Sequence, residues 1–197
     1  MIERTLVLIK HDGVARGLTG EILARFEKVG LKIIALKMVQ VSKEFAQKHY
    51  PVTEEWYAKV GGNTLDDSKK YGVSALETLG TEHPVEIGKK IHAFNVDYLV
   101  VGPVVAVVLE GTHAIEIVRK LVGHTVPALA APGTIRGDYA LHSAVSSNLL
   151  KRSIYNLIHA SGKREEAEQE IQLWFKPEEL LHYRGVHELI DNVQGKG

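Results

Sequence analysis

The sequence predicts an α+β domain: a four-stranded antiparallel sheet flanked by helices, on the split βαβ, ferredoxin-like plan. Two apolar runs set this frame. Leu6 to Ile9 is short and purely aliphatic, and Val104 to Leu109 is a continuous, mostly β-branched run of the kind buried on both faces of a sheet. The third observation is order. Each run leads into an amphipathic helical pattern, and the sequence reads strand–helix–strand, a helical region, then strand–helix–strand.

The first run ends in Lys10-His11-Asp12-Gly13, a turn. A helix follows, with Thr19 as cap, Ile22, Leu23, Phe26 and Val29 on one face, and Gly30 as its stop. Leu31 to Val41 is rich in branched residues and reads as the second strand. Between Pro51 and Val101 the pattern weakens. Gly61-Gly62-Asn63 and Asp66-Asp67 read as loop, and Val73 to Leu79 and Val85 to Phe94 as short helices. After the Val104 strand, Thr112 is placed to cap a helix with Ile115, Val118 and Val122 on its buried side, ended by Gly123. Gly133 to Ala144 is the candidate fourth strand. Ser161 is placed to cap a late helix with Ala167, Ile171 and Trp174 facing inward, before Pro177 and a polar tail.

The chain has 197 residues, enough for one domain with a real core, and no composition break calls for a second. Lys plus Arg equal Asp plus Glu at 24 each, so no cationic excess points to nucleic acid or a membrane surface. The absence of cysteine excludes disulfides, thiolate metal sites and thiol catalysis. The longest apolar run, Tyr98 to Leu109, is too short to span a bilayer and is interrupted by Gly102-Pro103. With no targeting signal at the N-terminus, a cytoplasmic protein is expected.

Several nucleotide and metal motifs are missing. No Walker A loop occurs, because Gly88-Lys89 and Gly162-Lys163 lack the upstream glycine, and no Gly-x-Gly-x-x-Gly turn is present. His187-Glu188 opens a zincin-like pair without its second histidine. The aromatic motif of RNA-binding sheets is also absent.

Lys10, Arg119 and Arg136 sit beside turns or on a helix. Phosphoryl transfer depends on cations converging on phosphates, although any one such residue is more often a solvated charge. His159, in Asn156-Leu157-Ile158-His159-Ala160-Ser161, precedes the late helix, from which Glu170 could reach back to orient the ring. A neutral imidazole is a competent nucleophile at pH 7. By itself the local pattern favours a hydrogen-bonded histidine at a helix entrance over a nucleophile.

Several blocks in order resemble nucleoside diphosphate kinases. They are Ile9-Lys10-His11-Asp12-Gly13-Val14 with Arg16-Gly17, Gly102-Pro103-Val104-Val105-Ala106 with Leu109-Glu110-Gly111, Pro132 to Asp138, Asn156 to Ser161, Glu166 to Ile171 with Trp174-Phe175, and Pro177 to Leu180. The resemblance implies a ping-pong phosphotransfer through a phosphohistidine at His159, supported by Ser161 and Glu170. It implies phosphate contacts from Lys10, Arg119 and Arg136, with Thr125 beside the arginines. Tyr50 would line the site and Asn156 meet the sugar hydroxyl. It further implies ATP and other nucleoside di- and triphosphates as partners, Mg2+ carried on the phosphates with no protein ligand, and a homo-oligomer, hexamer or tetramer. A non-catalytic nucleotide-binding or scaffold protein on the same fold is the alternative.

The sequence departs from the family at His11, usually Pro, at Gly162, usually Asp, and at Val126 and Leu129 after Thr125. Two regions are longer than the family core, one within 51–101 and one within 139–155. The first covers the place of the base-stacking aromatic. Trp56 and Tyr57 are candidates for that role, and are equally compatible with the core.

Overall fold

The computed structural model describes residues 2–50 and 52–185. His187, Glu188 and the end of the polar tail lie outside them. The sheet has the order β2-β3-β1-β4, where β1 is Ile2–Ile9, β2 Lys32–Val39, β3 Val104–Thr112 and β4 Ile158–Ala160. Every pairing is antiparallel. The aliphatic runs occupy the two central strands, and Thr5 to Ile9 and Val104 to Leu109 are all buried, as a sheet covered on both faces requires.

One face carries the two helices of the split βαβ, α2 (Thr19–Lys28) and α7 (Ala114–Val122). Ile22, Phe26, Val118 and Val122 pack there on Val7, Ile9, Val105 and Val107. A short helix, α1 (His11–Ala15), links β1 to α2. On the other face α3 (Lys43–His49), α6 (Pro84–Val100) and α10 (Arg164–Trp174) cover the sheet. Ala46, Val96, Leu99, Ile171 and Trp174 meet Leu6, Leu8, Ala106 and Val108. Side chains alternate between these cores along each strand, the period of two that a pleated sheet imposes.

Between α3 and α6 stand α4 (Glu54–Lys70) and α5 (Ala75–Leu79), with a small core of Ala75, Leu79 and Ile87. Here the structure corrects the sequence reading. Gly61-Gly62-Asn63 and Asp66-Asp67 are interior residues of α4, not a loop. The glycines serve close helix packing. A Cβ on Gly61 would stand 1.8 Å from the Pro84 carbonyl oxygen, and one on Gly88 would stand 2.2 Å from that of Tyr57. Bare backbone lets α4 and α6 approach closely, which outweighs the helix penalty of glycine. Thr53 caps α4 by accepting from the Trp56 N–H.

The fourth strand also lies elsewhere. Gly133 to Ala144 forms a left-handed glycine (φ 86°), then α8 (Ile135–Tyr139), capped by the Thr134 side chain, and the start of α9 (Ala144–Leu149). The strand is Ile158–Ala160, too short for its alternation to be read. Three expected caps also fail. Thr112 ends β3, and His113, with φ 52°, precedes α7. Lys163, not Ser161, precedes α10. Thr19 is the first residue of α2 and does not cap it. No helix among the described residues is long and apolar enough to cross a membrane.

Candidate active site

Lys10 leaves β1 at the point where β4 enters beside it. Its backbone N–H donates to the Leu157 carbonyl at 2.7 Å, and Leu8 lies opposite His159 in the register. The approach to β4 is bent. The Ile158 N–H donates to the Asn156 carbonyl at 2.7 Å, which places Leu157 at φ 66° in a γ-turn. A non-glycine residue in that region is strained. Two anchors hold it: Asp12 accepts from the Leu157 N–H at 3.2 Å, and Leu157 is fully buried.

Arg136 clamps the same bend. Its guanidinium donates to the carbonyls of Asn156 (3.1 Å), Gly123 (3.0 Å) and Ile158 (2.6 Å). Asn156 joins the remaining parts. Its Oδ1 accepts from Lys10 Nζ at 2.9 Å, and its Nδ2 donates to the Thr125 carbonyl at 2.9 Å. Arg119 and Thr125 are exposed. Arg119 on α7 is near enough for its charge to act on both Arg136 and His159.

The cations are held at an electrostatic cost. Burial, then the charge of Arg136, lower Lys10 to about 7, with Asp12 opposing. Burial, then Arg119, lower Arg136 to about 10. His159 falls to about 3 through burial, then Lys10, with Arg136 and Arg119 adding and Glu166 opposing. Asp12 and Glu166 only partly offset this repulsion around one imidazole, and an excess of positive charge in a cleft favours an anionic ligand.

His159 Nε2 stands 2.8 Å from Glu170 Oε1, and the other carboxylate oxygen accepts from the Ser161 hydroxyl at 2.6 Å. Ser161 is in turn tied to β1, accepting from the Leu6 N–H at 3.3 Å. With the carboxylate accepting on both oxygens, the imidazole donates from Nε2 and its Nδ1 lone pair is free. His49 packs behind it, ring centroids 4.6 Å apart at 84°, and accepts at Nδ1 from the Trp174 indole N–H at 3.2 Å. Burial first, then His159, lower His49 to about 3. Ligand atoms of His49, His159 and Glu170 all lie within 4.8 Å of one another, the only such grouping among the described residues.

A cleft of about 620 Å³ opens over this histidine, lined among others by His49, Tyr50, Trp56, His159, Lys163 and Glu166. A cleft of about 720 Å³ beside Ile2, Arg4 and Phe175 holds none of the candidate residues. The structure therefore gathers Lys10, Tyr50, Arg136, Asn156, His159, Ser161 and Glu170, with Arg119 and Thr125 at the rim. Trp56 lines the cleft. Tyr57 does not, and lies edge-on to Trp56 and His92.

A family model described as nucleoside diphosphate kinase matches residues 3–59 and 70–180. The chain belongs to the nucleoside diphosphate kinase family. It is 49% identical over 180 residues to a nucleoside diphosphate kinase of Pyrobaculum aerophilum, covering 91% of this chain and 98% of that one. Its identity to that of Pyrococcus furiosus is 44%, covering 92% and 88%. It is also similar to a solved NDP kinase structure from Pyrobaculum aerophilum, with a TM-score of 0.89, 47% identity and coverage of 92% of this chain and 100% of that one. A transition-state mimic of the Borrelia burgdorferi enzyme with bound vanadate and ADP aligns at a TM-score of 0.76 and 38% identity, covering 96% of each chain.

The family match skips residues 60–69, which lie inside α4. The departures from the nucleoside diphosphate kinase pattern each find a local place. His11 lies edge-on to both Tyr98 and Tyr155. Val126 leads into a short 3-10 turn, Pro127–Leu129, in which Leu129 is exposed. The Gly162 N–H donates to Glu166 at 2.8 Å. Sequence reasoning missed three neighbours of the site: Asp12, His49 and Tyr98. Asp12 stands inside the Lys10-His11-Asp12-Gly13 block, and His49 directly precedes Tyr50. Tyr98 opens an apolar run, where its lone hydroxyl was the available signal.

Proposed function

We propose that the chain moves the terminal phosphate of a nucleoside triphosphate, typically ATP, to a nucleoside diphosphate by way of His159. The observation that carries this is the free Nδ1 of a neutral histidine, fixed by Glu170 and ringed by Lys10, Arg119 and Arg136. In the first half-reaction Nδ1 attacks the γ-phosphorus, the bond to the β–γ bridging oxygen breaks, and the diphosphate leaves. In the second, an acceptor diphosphate takes the phosphoryl group and Nδ1 regains its lone pair. Transfer of this kind relies on positioning and on charge placed where it develops.

Lys10 and Asn156, joined at 2.9 Å, meet the phosphate and the sugar hydroxyl, while Arg119 and Arg136 hold the phosphate chain. Tyr50 lines the cleft and Trp56, of the two aromatic candidates, stacks on the base. Stacking accepts any base, so nucleotide selectivity is low. Mg2+ prefers six oxygen ligands, and the His49–His159–Glu170 grouping offers two nitrogens and one carboxylate already engaged with one another. The ion would be carried by the nucleotide phosphates, where it would offset their charge.

We read residues 1–197 as one domain with extra segments within 51–101 and 139–155, acting in the cytoplasm as a homo-oligomer, hexamer or tetramer. Leu36 and Met38, exposed on the edge strand β2, support self-association. The deciding experiment is incubation with γ-labelled ATP. Wild type takes up an acid-labile label and passes it to a nucleoside diphosphate, whereas His159→Ala does neither and melts normally. Exchange retained in His159→Ala would overturn the assignment. Nucleotide binding without labelling of wild type would point to a non-catalytic protein on the same fold.

A further inference from the structure

The geometry points to Tyr98 and Tyr155 as positioning residues for Lys10: their aromatic stack holds the ammonium in place for the phosphate. This rests on the reading of Lys10 as a phosphate-meeting cation.

Lys10 Nζ lies 4.6 Å from the centroid of the Tyr98 ring, over its face. The Tyr98 hydroxyl donates to Asp12 at 2.6 Å and accepts from the Asn156 N–H at 3.2 Å. It thus ties together the two segments that carry Lys10 and its partner Asn156. These bonds fix the end of the ring but not its plane, because the hydroxyl lies on the axis about which the ring rotates. The plane is set by Tyr155, stacked on Tyr98 at 4.9 Å and 15°. His11 braces both rings edge-on at 5.5 and 5.3 Å, and the Arg152 guanidinium covers Tyr155 at 3.8 Å. Tyr155 and Arg152 belong to the 139–155 segment, which thus reaches the lysine through two rings.

The effect on Lys10 is electrostatic as well as geometric. A ring face favours a cation over its neutral form, and more so away from water. The hydrogen bond to Asp12 adds electron density to the Tyr98 ring. The groups facing Lys10 are His11 and Asp12 on α1, His49 on α3, Tyr98 on α6, Arg136 on α8 and His159 on β4. Of these only Asp12 and the Tyr98 ring favour the charged lysine, against burial and Arg136. Losing the ring's orientation leaves less to oppose deprotonation, so activity that needs the ammonium declines from a lower pH.

The test is the pH dependence of kcat/KM in Tyr155→Leu and Tyr155→Phe, with melting curves for each. Tyr155→Phe keeps the stack and follows wild type. Tyr155→Leu loses about tenfold in kcat/KM, within the range of one cation–ring contact, and its basic limb moves to lower pH. A Leu variant with the wild-type profile would overturn the inference. So would a loss that follows the folded fraction with no displacement of the limb. If Tyr155→Leu does not fold, Tyr155→Met fills the space without a ring and is read in the same way. Normal transfer in Lys10→Ala would mark a failure of the role given to Lys10, not of the stack.

Discussion

His159 Nε2 and Glu170 Oε1 are 2.8 Å apart, so one ring nitrogen of this cleft-lining imidazole is committed to a carboxylate and Nδ1 is the one left to meet a ligand. From this we predict that the phosphate attaches at Nδ1, which 31P and 15N NMR of the labelled protein would identify. Attachment at Nε2 would contradict the geometry. Glu170→Gln should keep the fold and lower turnover by about 10²-fold, comparable to losing one preorganised polar contact in other active sites.

The two arginines differ in kind. Arg136 is buried and donates to three backbone carbonyls, whereas Arg119 is exposed on α7. Both Ala variants should lose about 10²-fold or more in turnover. Arg136→Ala should also lower the melting temperature, because those carbonyls lose their donors. Arg119→Ala should melt as wild type does. Normal activity per folded molecule in both would make the arginines purely structural.

With Lys10 in its proposed phosphate-meeting role, nucleotide binding should depend on protons. Its pKa stands at about 7 in the folded protein against an ordinary 10.5. At pH 8 the free protein holds it mostly neutral, and an arriving phosphate favours the ammonium, so binding takes up a proton. The same displacement makes stability rise with pH between about 7 and 10.5, where the unfolded chain binds the proton that the folded chain lacks. Calorimetry at pH 8 in buffers of different ionisation enthalpy should show proton uptake in wild type and less in Lys10→Gln. Equal uptake in the two proteins would count against this account.

His49 and His159 both sit at about 3, below the ordinary 6.5. The unfolded chain therefore takes up protons that the folded chain refuses, and stability should fall as the pH drops from about 6.5 towards 3. Glu170, raised by burial, acts in the opposite sense. Denaturant titrations at several pH values should give a shallower acid loss for His49→Phe than for wild type. Parallel curves would show that His49 carries no part of it.

Trp56 lines the cleft beside Tyr50 and His159, while Trp174 is buried with its N–H on His49. Trp56→Ala should weaken nucleotide binding by about 1–3 kcal/mol and remove most of the fluorescence change on nucleotide addition. Unchanged affinity with a changed mass by light scattering would move this surface to a subunit contact.

Local pattern was enough for much of the fold. The aliphatic runs at Leu6 and Val104 read as buried strands, and the structure puts both at the centre of the sheet. The apolar faces of α2, α7 and α10 were visible in the spacing of Ile22 and Phe26, of Val118 and Val122, and of Ala167, Ile171 and Trp174. Glycine misled the reading in α4, because Gly61 is needed by Pro84 on another helix, which no window around Gly61 contains. The fourth strand was missed because Ile158–Ala160 is defined by its pairing with β1 and not by its own residues.

The same division runs through the site. By itself the sequence determined the chemical inventory: a histidine before a helix with a glutamate on it, a lysine after the first strand, two arginines, and the ordered motifs that resemble one family. Only the tertiary structure decided that Lys10 meets Asn156 across 146 positions of chain, that Arg136 clamps the bend before His159, and that His49 packs against the His159 ring and Tyr98 under Lys10. The physical reason is range. Helical and strand periodicities are written in neighbouring residues, whereas these contacts are made by sheet register and helix packing, which bring together side chains that share no local pattern.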